Sequence, residues 1–326
     1  MNMKDKGNQG DFRGSISVVV VTYNQEKFLA KSLGSVFTQT RQPDEIIVVD
    51  NGSSDNTFEI IKKYSKKITY IRNEKNMGAV RAFNQGLVAA SCDYVILLSA
   101  DDWFGKKILE EEVAILDSNT NIAVVYSQAY TWHKGGKLTN AKTAGETTVI
   151  GRDEFERLLT QGDFIPLLTA LIRRSVYQKL GLMDEKIKFR HDWEFWIKLA
   201  KHHKFAYLAK PLAYYRVHQS YGVASRDFMG TFEYDFRRIL TKHLKGDEPQ
   251  VKKIRSRACY SLYMNLSSQM IDNGEVIKSL RYWLQAIFTE PLFIIRPSTF
   301  APFFRIIKMQ IMGLFRTRKP WHLCQG

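Results

Sequence analysis

The sequence predicts an α/β fold with a mostly parallel central sheet flanked by helices. Short apolar runs alternate with segments of helical period from Ser17 to Leu98, which is the pattern of βαβ units. Three of these runs end in polar clusters, at Thr22-Tyr23-Asn24, at Asp50 to Asp55 and at Ser99 to Asp102. Because right-handed crossovers bring the carboxyl ends of parallel strands to one edge of the sheet, we expect the clusters to form a ligand site.

The elements follow in chain order. Strands are expected at 17–22, 45–49, 68–71 and 94–98, and helices at 26–37, 55–64, 79–89 and 106–116. After these we expect a strand at 123–132, a hairpin turn at 134–137, a return strand at 147–150, a helix at 151–159, a strand at 167–172, a helix at 175–180 stopped by Gly181, and a helix from 189 to about 202. The strict alternation of strand and helix is therefore a property of the first third of the chain.

Composition limits the class of protein. The 326 residues are 44% hydrophobic and 25% charged, which is an ordinary globular composition. Three widely spaced cysteines argue against a disulfide framework or a zinc site. Residues 1–14 are polar, without the apolar centre of a signal peptide or a membrane span, so we expect a flexible N-terminus and a cytoplasmic chain.

A net charge of +15 predicts a polyanionic partner, for which nucleic acid, anionic lipid and phosphorylated small molecules are the candidates. Residues 231–326 contain 16 lysines and arginines but only 7 aspartates and glutamates. Within them, 301–316 form a helical pattern with one apolar and one basic face. This predicts a helical, amphipathic, basic C-terminal region lying on an anionic membrane surface, with packing on the catalytic domain or on a second subunit as the alternative.

The strand-end clusters suggest the chemistry of the ligand. Tyr23 could stack on a nucleobase, and Asp50 could accept a hydrogen bond from a base or a ribose. Asp101 and Asp102 could hold a divalent cation, although either could instead cap the following helix. The glycine patterns of dinucleotide and ATPase loops are absent from the sequence. We therefore expect a nucleoside diphosphate whose phosphates are held by a divalent ion and by side chains.

The chain resembles the family 2 glycosyltransferases of bacterial surface-polysaccharide assembly, whose fold is called GT-A, over roughly residues 15–220. The resemblance rests on Val19-Val20-Val21-Thr22-Tyr23-Asn24, Ile46 to Asp55, Asn76-Met77-Gly78 with Asn84-Gln85-Gly86, Asp93 to Asp102, Gly181-Leu182-Met183-Asp184-Glu185, His191-Asp192 and Tyr215-Arg216-Val217-His218. It implies a GT-A domain at 15–230, with a nucleotide-sugar half at 15–118 and an acceptor half at 119–230, followed by the helical basic region at 231–326.

The resemblance also implies the activity and the site. It implies an inverting transfer from a nucleotide-diphosphate sugar, most simply a UDP-sugar, to a glycan or a lipid-linked glycan at the inner face of the cell membrane. The residues that match donor-binding positions are Thr22, Tyr23, Asn24, Asp50, Arg81, Asp101, Arg216 and His218, of which Arg81 matches by position only. Asp102 matches the ligand of Mn²⁺ or Mg²⁺, and Asp192 matches the general base that deprotonates the acceptor hydroxyl.

Two residues depart from the family pattern. Ser99 replaces the first acid of the Asp-x-Asp motif, so the cation would be bound more weakly or mainly through the nucleotide. His191 replaces the glutamate beside the base, and it could orient Asp192, make the local charge depend on pH, or face solvent. Trp193 and Trp196, three residues apart, could form an acceptor platform or belong to the core.

Three other classes of protein remain as alternatives. A nucleotidyltransferase would share the sheet and the cation, but its phosphate loop near the first strand is missing. A nucleotide-sugar-binding protein or degenerate transferase would bind the donor without transferring the sugar. A nucleic-acid binder would account for the charge, but no recognised module is present, and we expect no nucleic-acid partner.

Overall fold

A computed structural model of the chain describes residues 14–133, 136, 138–140, 148–217, 228–272, 274–291 and 297–300. The chain forms two compact units, one containing residues up to 155 together with 163–228, and the other containing 156–162 together with the residues from 229. The sequence suggested an unbroken domain at 15–230. The segment 156–162 interrupts it and belongs to the second unit, where Glu156 pairs with Arg257 at 3.3 Å.

The elements of both units are numbered in chain order. The strands are β1 Ile16–Thr22, β2 Glu45–Asp50, β3 Thr69–Arg72, β4 Tyr94–Ser99, β5 Trp103–Phe104, β6 Ile122–Trp132, β7 Leu138–Asn140, β8 Val149–Arg152, β9 Ala170–Arg173 and β10 Lys204–Arg216. The helices are α1 Leu29–Phe37, α2 Thr57–Lys62, α3 Ala79–Ala89, α4 Ile108–Ser118, α5 Phe155–Gln161, α6 Arg174–Leu180, α7 His191–Ala200, α8 Phe228–His243, α9 Pro249–Asp272 and α10 Val276–Thr289. Leu167–Thr169 and Pro297–Phe300 are short 3₁₀ turns.

The strands form one mixed sheet in the order β3-β2-β1-β4-β9-β6-β10-β5, with β7 added on β6 and β8 on β10. Strands β1 to β4 pair in parallel, as the βαβ pattern predicts. The second half departs from parallel pairing, because β9 runs antiparallel to both of its neighbours, whereas β6 and β10 are parallel to each other. The predicted α/β class with a helix-flanked sheet is confirmed.

The core lies around the central strands. All seven residues of β1 are buried, as expected for a parallel strand covered on both faces. Helix α1 adds Leu29, Leu33 and Val36 to the same cluster. Helix α3 approaches β1 closely at Gly86, where a Cβ atom would lie 2.1 Å from Cγ1 of Val19. The glycine of the Asn-Gln-Gly segment is therefore required by the packing of helix on sheet.

Several element predictions are wrong in their bounds. The helix predicted over 151–159 begins only at Phe155, because residues 149–152 continue as a strand that pairs with β10. The predicted strand over 167–172 starts as a 3₁₀ turn. Strand β10 was not predicted, and its Pro211 cannot donate a ladder hydrogen bond. The pairing of β10 with β6 accommodates this residue through register shifts on both sides of it.

The second unit is helical, with α9 packed along α10. The hydroxyls of Ser267 and Ser279 bond to each other at 2.9 Å, and the indole of Trp283 donates to the carbonyl of Thr299 at 2.7 Å. Across the described parts of the chain, no helix has the length and apolarity that a membrane crossing requires. The amphipathic pattern at 301–316 lies outside the described residues, as do residues 1–13 and most of the predicted turn at 134–137.

Candidate active site

The three polar clusters meet at one edge of the sheet. Thr22 pairs with Asp50 across β1 and β2, and Val21 pairs with Ser99 across β1 and β4. Beyond the strand ends, the backbone N–H of Asn51 donates to the carbonyl of Thr22 at 2.9 Å. The predicted convergence of the strand ends is therefore present.

The loop after β1 presents an aromatic ring to solvent. Tyr23 is 41% exposed, and Asn24 has a positive φ of 51°. The backbone N–H of Asn24 donates to Ser53 Oγ, and the N–H of Ser54 donates to Asn24 Oδ1, each at 2.9 Å. The buried Thr22 hydroxyl has no hydrogen-bond partner within the described structure. These bonds fix the loop and leave the Tyr23 ring available for stacking.

Asp50 is fully buried at the end of β2. Its Oδ1 accepts the N–H of Ser53 at 2.9 Å, and its Oδ2 accepts the hydroxyl of Tyr70 at 3.0 Å. Burial, followed by the bond to Asp50, raises the pKa of Tyr70 to about 12, so this hydroxyl stays a donor at neutral pH. Asp50 thus holds the loop after β2 in place, and any ribose or base contact would add to these two bonds.

Side-chain amides connect this loop to the start of α3. Asn51 Oδ1 accepts from Asn73 Nδ2 and from the N–H of Met77, both at 3.0 Å, and Asn51 Nδ2 donates to Asn76 at 2.9 Å. The loop leads into α3, where Arg81 is exposed in the first turn. The amide network therefore ties the loop before α3, whose first turn carries Arg81, to the loop after β2.

The acidic pair is tied to the end of β10. Asp102 is 5% exposed, and its Oδ1 accepts the backbone N–H of Arg216 at 2.7 Å. The guanidinium Nε of Arg216 donates to the carbonyl of Asp101 at 2.9 Å. Burial, and then the charge of Asp101, raise the pKa of Asp102 well above its usual value. The capping alternative is wrong, because α4 begins at Ile108 and its N-terminus makes no side-chain capping bond.

The oxygens of this pair fit a divalent cation shared with a nucleotide. The buried Asp102 carboxylate, with a second acid beside it, would be stabilised by a nearby positive ion. Mg²⁺ is usually bound through one or two carboxylates together with substrate phosphates. In the described portion of the chain, no three His, Cys, Asp or Glu side chains cluster closely enough to hold a metal by themselves. Asp101 and Asp102 could therefore supply only part of the ligand set.

A cluster of cations on aromatic rings lies beside the acidic pair. Lys31 Nζ is 3.4 Å from the ring centre of Trp103, and the guanidinium carbon of Arg216 is 4.8 Å from the same ring centre. Arg216 also lies 4.6 Å from the ring centre of Phe28. Partial burial, followed by the charge of Arg216, lowers the pKa of Lys31. Two cations that share one ring would be stabilised by an anion such as a diphosphate.

The sequence did not single out Lys31 as a site residue. Its contact with Trp103 depends on the two-residue strand β5 and on β10, neither of which was predicted. Trp103 stacks on Tyr214 of β10 at 5.0 Å with an 8° interplanar angle. A lysine on the exposed side of an amphipathic helix has no sequence pattern that would distinguish it. His218, another predicted donor-binding residue, lies outside the described residues.

Asp192 lies in the first turn of α7. Its Oδ1 accepts the N–H of Trp193 at 2.9 Å, and the helix N-terminus favours a negative charge there. The ring of His191 stacks on Phe83 of α3 at 6.4 Å, and its Nδ1 lies 3.3 Å from the carbonyl of Lys188. His191 is thus part of the packing between α7 and α3 and is not a free loop residue.

Of the two alternatives for the tryptophans of α7, the core is confirmed and the acceptor platform is not. Trp193 and Trp196 are 2% and 0% exposed, so both belong to the core. The indole of Trp196 donates to the carbonyl of Ile165 at 3.2 Å, which ties residues 163–165 to α7. Aromatic residues at a spacing of three on this helix fill the interior, as amphipathic patterns commonly do.

The Asn-Gln-Gly segment also positions the loop before α7. The side chain of Asn84 donates to the carbonyl of Met183 and accepts its N–H, both at 3.0 Å. This pair of bonds is buried, so loss of the amide would leave Met183 unsatisfied. The loop at 181–185 is therefore attached to α3, the helix that also packs against β1 and β2.

The chain is similar to glycosyltransferases in sequence and to one solved protein in fold. An uncharacterized glycosyltransferase of Methanocaldococcus jannaschii is 30% identical over 208 residues, which are 62% of this chain and 70% of the relative. An uncharacterized glycosyltransferase of Haemophilus influenzae is 27% identical over 278 residues, 82% of this chain and 84% of the relative. The crystal structure of residues 1–349 of S. aureus TarS superposes with a TM-score of 0.64 at 20% identity, covering 92% of each chain. That protein has also been solved in complex with UDP-GlcNAc.

The fold and the site define a glycosyltransferase. The model of the family described as "Glycosyl transferase family 2" matches residues 17–181, half of the chain. The matched region begins in β1, contains the strand ends of β1, β2 and β4, and ends at the glycine after α6. The chain belongs to glycosyl transferase family 2.

Proposed function

We propose that the protein transfers a sugar, with inversion, from a nucleotide-diphosphate donor to a hydroxyl of a glycan or lipid-linked glycan, and that a UDP-sugar is the donor. The observation that supports this most strongly is the edge where the exposed Tyr23, the acidic pair Asp101-Asp102 and the cations Lys31 and Arg216 lie at neighbouring strand and helix ends. The ring could stack on the base, the carboxylate oxygens could bind a cation, and the two positive side chains could offset the charge of the diphosphate.

The residue proposed to activate the acceptor hydroxyl is Asp192. A carboxylate at a helix N-terminus could remove a proton from a hydroxyl as that hydroxyl attacks the anomeric carbon. The leaving diphosphate would remain beside Arg216 and Lys31, which offset the charge that develops on it. One displacement from the opposite face inverts the configuration, so an α-linked donor would give a β-linked product.

Mn²⁺ or Mg²⁺, held by Asp102 with Asp101 nearby, would neutralise charge on the diphosphate when bound. The chain's own part in that site is to keep both acids at the strand end, which the bonds to Arg216 achieve. Ser99 provides no carboxylate there. We therefore propose that the ion is shared with the nucleotide and enters together with it.

The direct test is turnover. The purified chain is incubated with UDP-, dTDP- and GDP-linked sugars, Mn²⁺ or Mg²⁺ and candidate acceptors, and release of the nucleoside diphosphate is measured. Selective release from one donor supports the proposal. Tight nucleotide binding without turnover of any donor would favour the binding protein or degenerate transferase instead.

Lys31 offers a prediction about donor binding. Lys31→Met keeps the apolar stem on Trp103 but removes the cation, and we expect UDP affinity in Mn²⁺ to fall about ten-fold, which corresponds to about 1.4 kcal/mol. Isothermal titration measures this, with Lys63→Met, an exposed lysine just after α2, as the matched control. Equal affinities of the two variants would remove Lys31 from the diphosphate site.

We also propose that the protein acts at the inner face of the cell membrane and binds anionic lipid through its basic C-terminal region. The charge of residues 231–326 and the amphipathic pattern at 301–316 support this. Removal of residues 301–326 is expected to reduce sedimentation with vesicles containing anionic lipid, and added salt is expected to weaken binding of the full chain. Unchanged sedimentation of the truncated protein would show that these residues are not the anchor.

A further inference from the structure

We propose that Asp163 is a positioning residue for the base: its protonated carboxyl group donates a hydrogen bond to the Asp192 carboxylate and holds it toward the acceptor hydroxyl. This inference rests on the proposed role of Asp192. Asp163 lies between α5 and the 3₁₀ turn at Leu167–Thr169, in a segment that no family motif marked.

The geometry identifies two carboxyl groups in hydrogen-bond contact. Asp163 is partly buried, its carboxyl group accepts the backbone N–H of Ile165, and it also contacts the carboxyl group of Asp192. Its Oδ1 is buried and has no hydrogen-bond donor among the described residues. A buried carboxylate oxygen without a donor is costly, whereas a proton on the Asp163 carboxyl group would convert its contact with Asp192 into a normal hydrogen bond.

The surrounding charges favour one proton on the pair. Burial, and then the charge of Asp192, raise the pKa of Asp163 well above its usual value, while Arg190 opposes part of this rise. His191 and the buried Glu194 are the other titratable side chains in the first turn of α7. Two carboxylates in contact repel each other, so it costs free energy to ionise both, and other carboxyl dyads behave in the same way.

The segment that carries Asp163 is fixed against α7. The bond from the Trp196 indole to the Ile165 carbonyl holds residues 163–165 beside the helix at 3.2 Å. Oδ1 of Asp192 already accepts the adjacent N–H of Trp193 at 2.9 Å. A hydrogen bond donated by Asp163 would therefore hold the Asp192 carboxylate from a second side. A general base needs such positioning, because its efficiency depends first on geometry.

The pH dependence follows from this proton. Asp163 holds the proton at pH values below its raised pKa, and loses it as the pH rises through that value. Two facing carboxylates then repel each other, so kcat of the parent is expected to fall at the alkaline end. Asp163→Asn keeps an N–H donor and carries no titrating proton, so its kcat should not fall there.

The test compares Asp163→Asn with Asp163→Leu in the full chain. We expect the asparagine variant to keep kcat at pH 7 within about three-fold, and the leucine variant to lose about 10–100-fold in kcat with an unchanged KM for the donor, because a misplaced group costs on that order. Melting temperature and UDP titration establish that each variant is folded. Equal activity of both variants and the parent, or an alkaline fall retained in the asparagine variant, would overturn the proposal.

A measurement without turnover separates this inference from the proposed function. Carboxyl ¹³C NMR of protein labelled at aspartate is expected to show, in addition to Asp102, a carboxyl group that keeps its proton well above the usual aspartate pKa of about 3.9, and this additional signal is lost in Asp163→Asn but kept in Asp102→Asn. If no such signal depends on Asp163, the shared proton is absent, whatever the enzyme turns over. If Asp192→Asn keeps full turnover while the signal is present, the role of Asp192 fails instead.

Discussion

Asp192→Asn is expected to lower kcat by about 10²–10⁴-fold, the range that a positioned general base contributes. Asparagine keeps the size of the side chain and can still accept the N–H of Trp193, but it cannot take a proton from a hydroxyl. UDP affinity should not change, because the proposed donor contacts lie at the ends of β1, β2, β4 and β10. Steady-state release of the nucleoside diphosphate, together with a UDP titration, measures both effects.

The matched control for this prediction is Asp247→Asn. Asp247 is a solvent-exposed acid of the second unit, 3.7 Å from Lys252, and its replacement should leave kcat within about two-fold. If Asp192→Asn behaves like this control, Asp192 is not the base. If the parent binds UDP but neither protein turns over any donor, the chain is a nucleotide-sugar-binding protein or a degenerate transferase.

Asp102→Asn is expected to remove the metal dependence of nucleotide binding. In Mn²⁺, UDP affinity should fall at least about ten-fold relative to the parent, which is about 1.4 kcal/mol, whereas in EDTA the two proteins should bind UDP equally. The reason is that asparagine can still accept the N–H of Arg216, which preserves the turn, but offers the cation no negative charge. Isothermal titration in the two buffers measures this, with Asp247→Asn as the control.

A different outcome would change the account of the site. An Asp102→Asn variant that loses the same affinity in EDTA as in Mn²⁺ would show that Asp102 supports the loop and does not bind the ion. Asp101→Asn separates the two acids, because the bond from Nε of Arg216 goes to the backbone carbonyl of Asp101 and does not need its carboxylate.

The parallel half of the fold could be predicted from the sequence because its signals are local. Buried strands such as Val19 to Thr22 and Ile46 to Asp50 are continuous apolar runs that stop at polar residues, and the crossover rule then places their ends together. The second half could not be predicted in the same way. Pro211 argues against a strand, and only pairing with β6 over many residues, with its register shifts, makes β10 one.

The same difference applies to the site. Asp102 and Asp192 belong to short motifs, so the resemblance could point to them. Lys31 and Asp163 belong to no motif. Lys31 meets Trp103 only through the folded sheet, and Asp163 meets Asp192 only through the packing of α7. The two tryptophans of α7 show the opposite case, since their spacing fits both a platform and a core and only burial distinguishes them.

A crystal structure of the full chain with UDP and Mn²⁺, with an anomalous difference map for the ion, tests the central claim most directly. The account predicts UDP at the edge formed by the ends of β1, β2 and β4, with its base on Tyr23 and a manganese peak about 2.0–2.6 Å from a carboxylate oxygen of Asp102. UDP bound on another surface, or UDP at this edge with no manganese at the acidic pair, would contradict it.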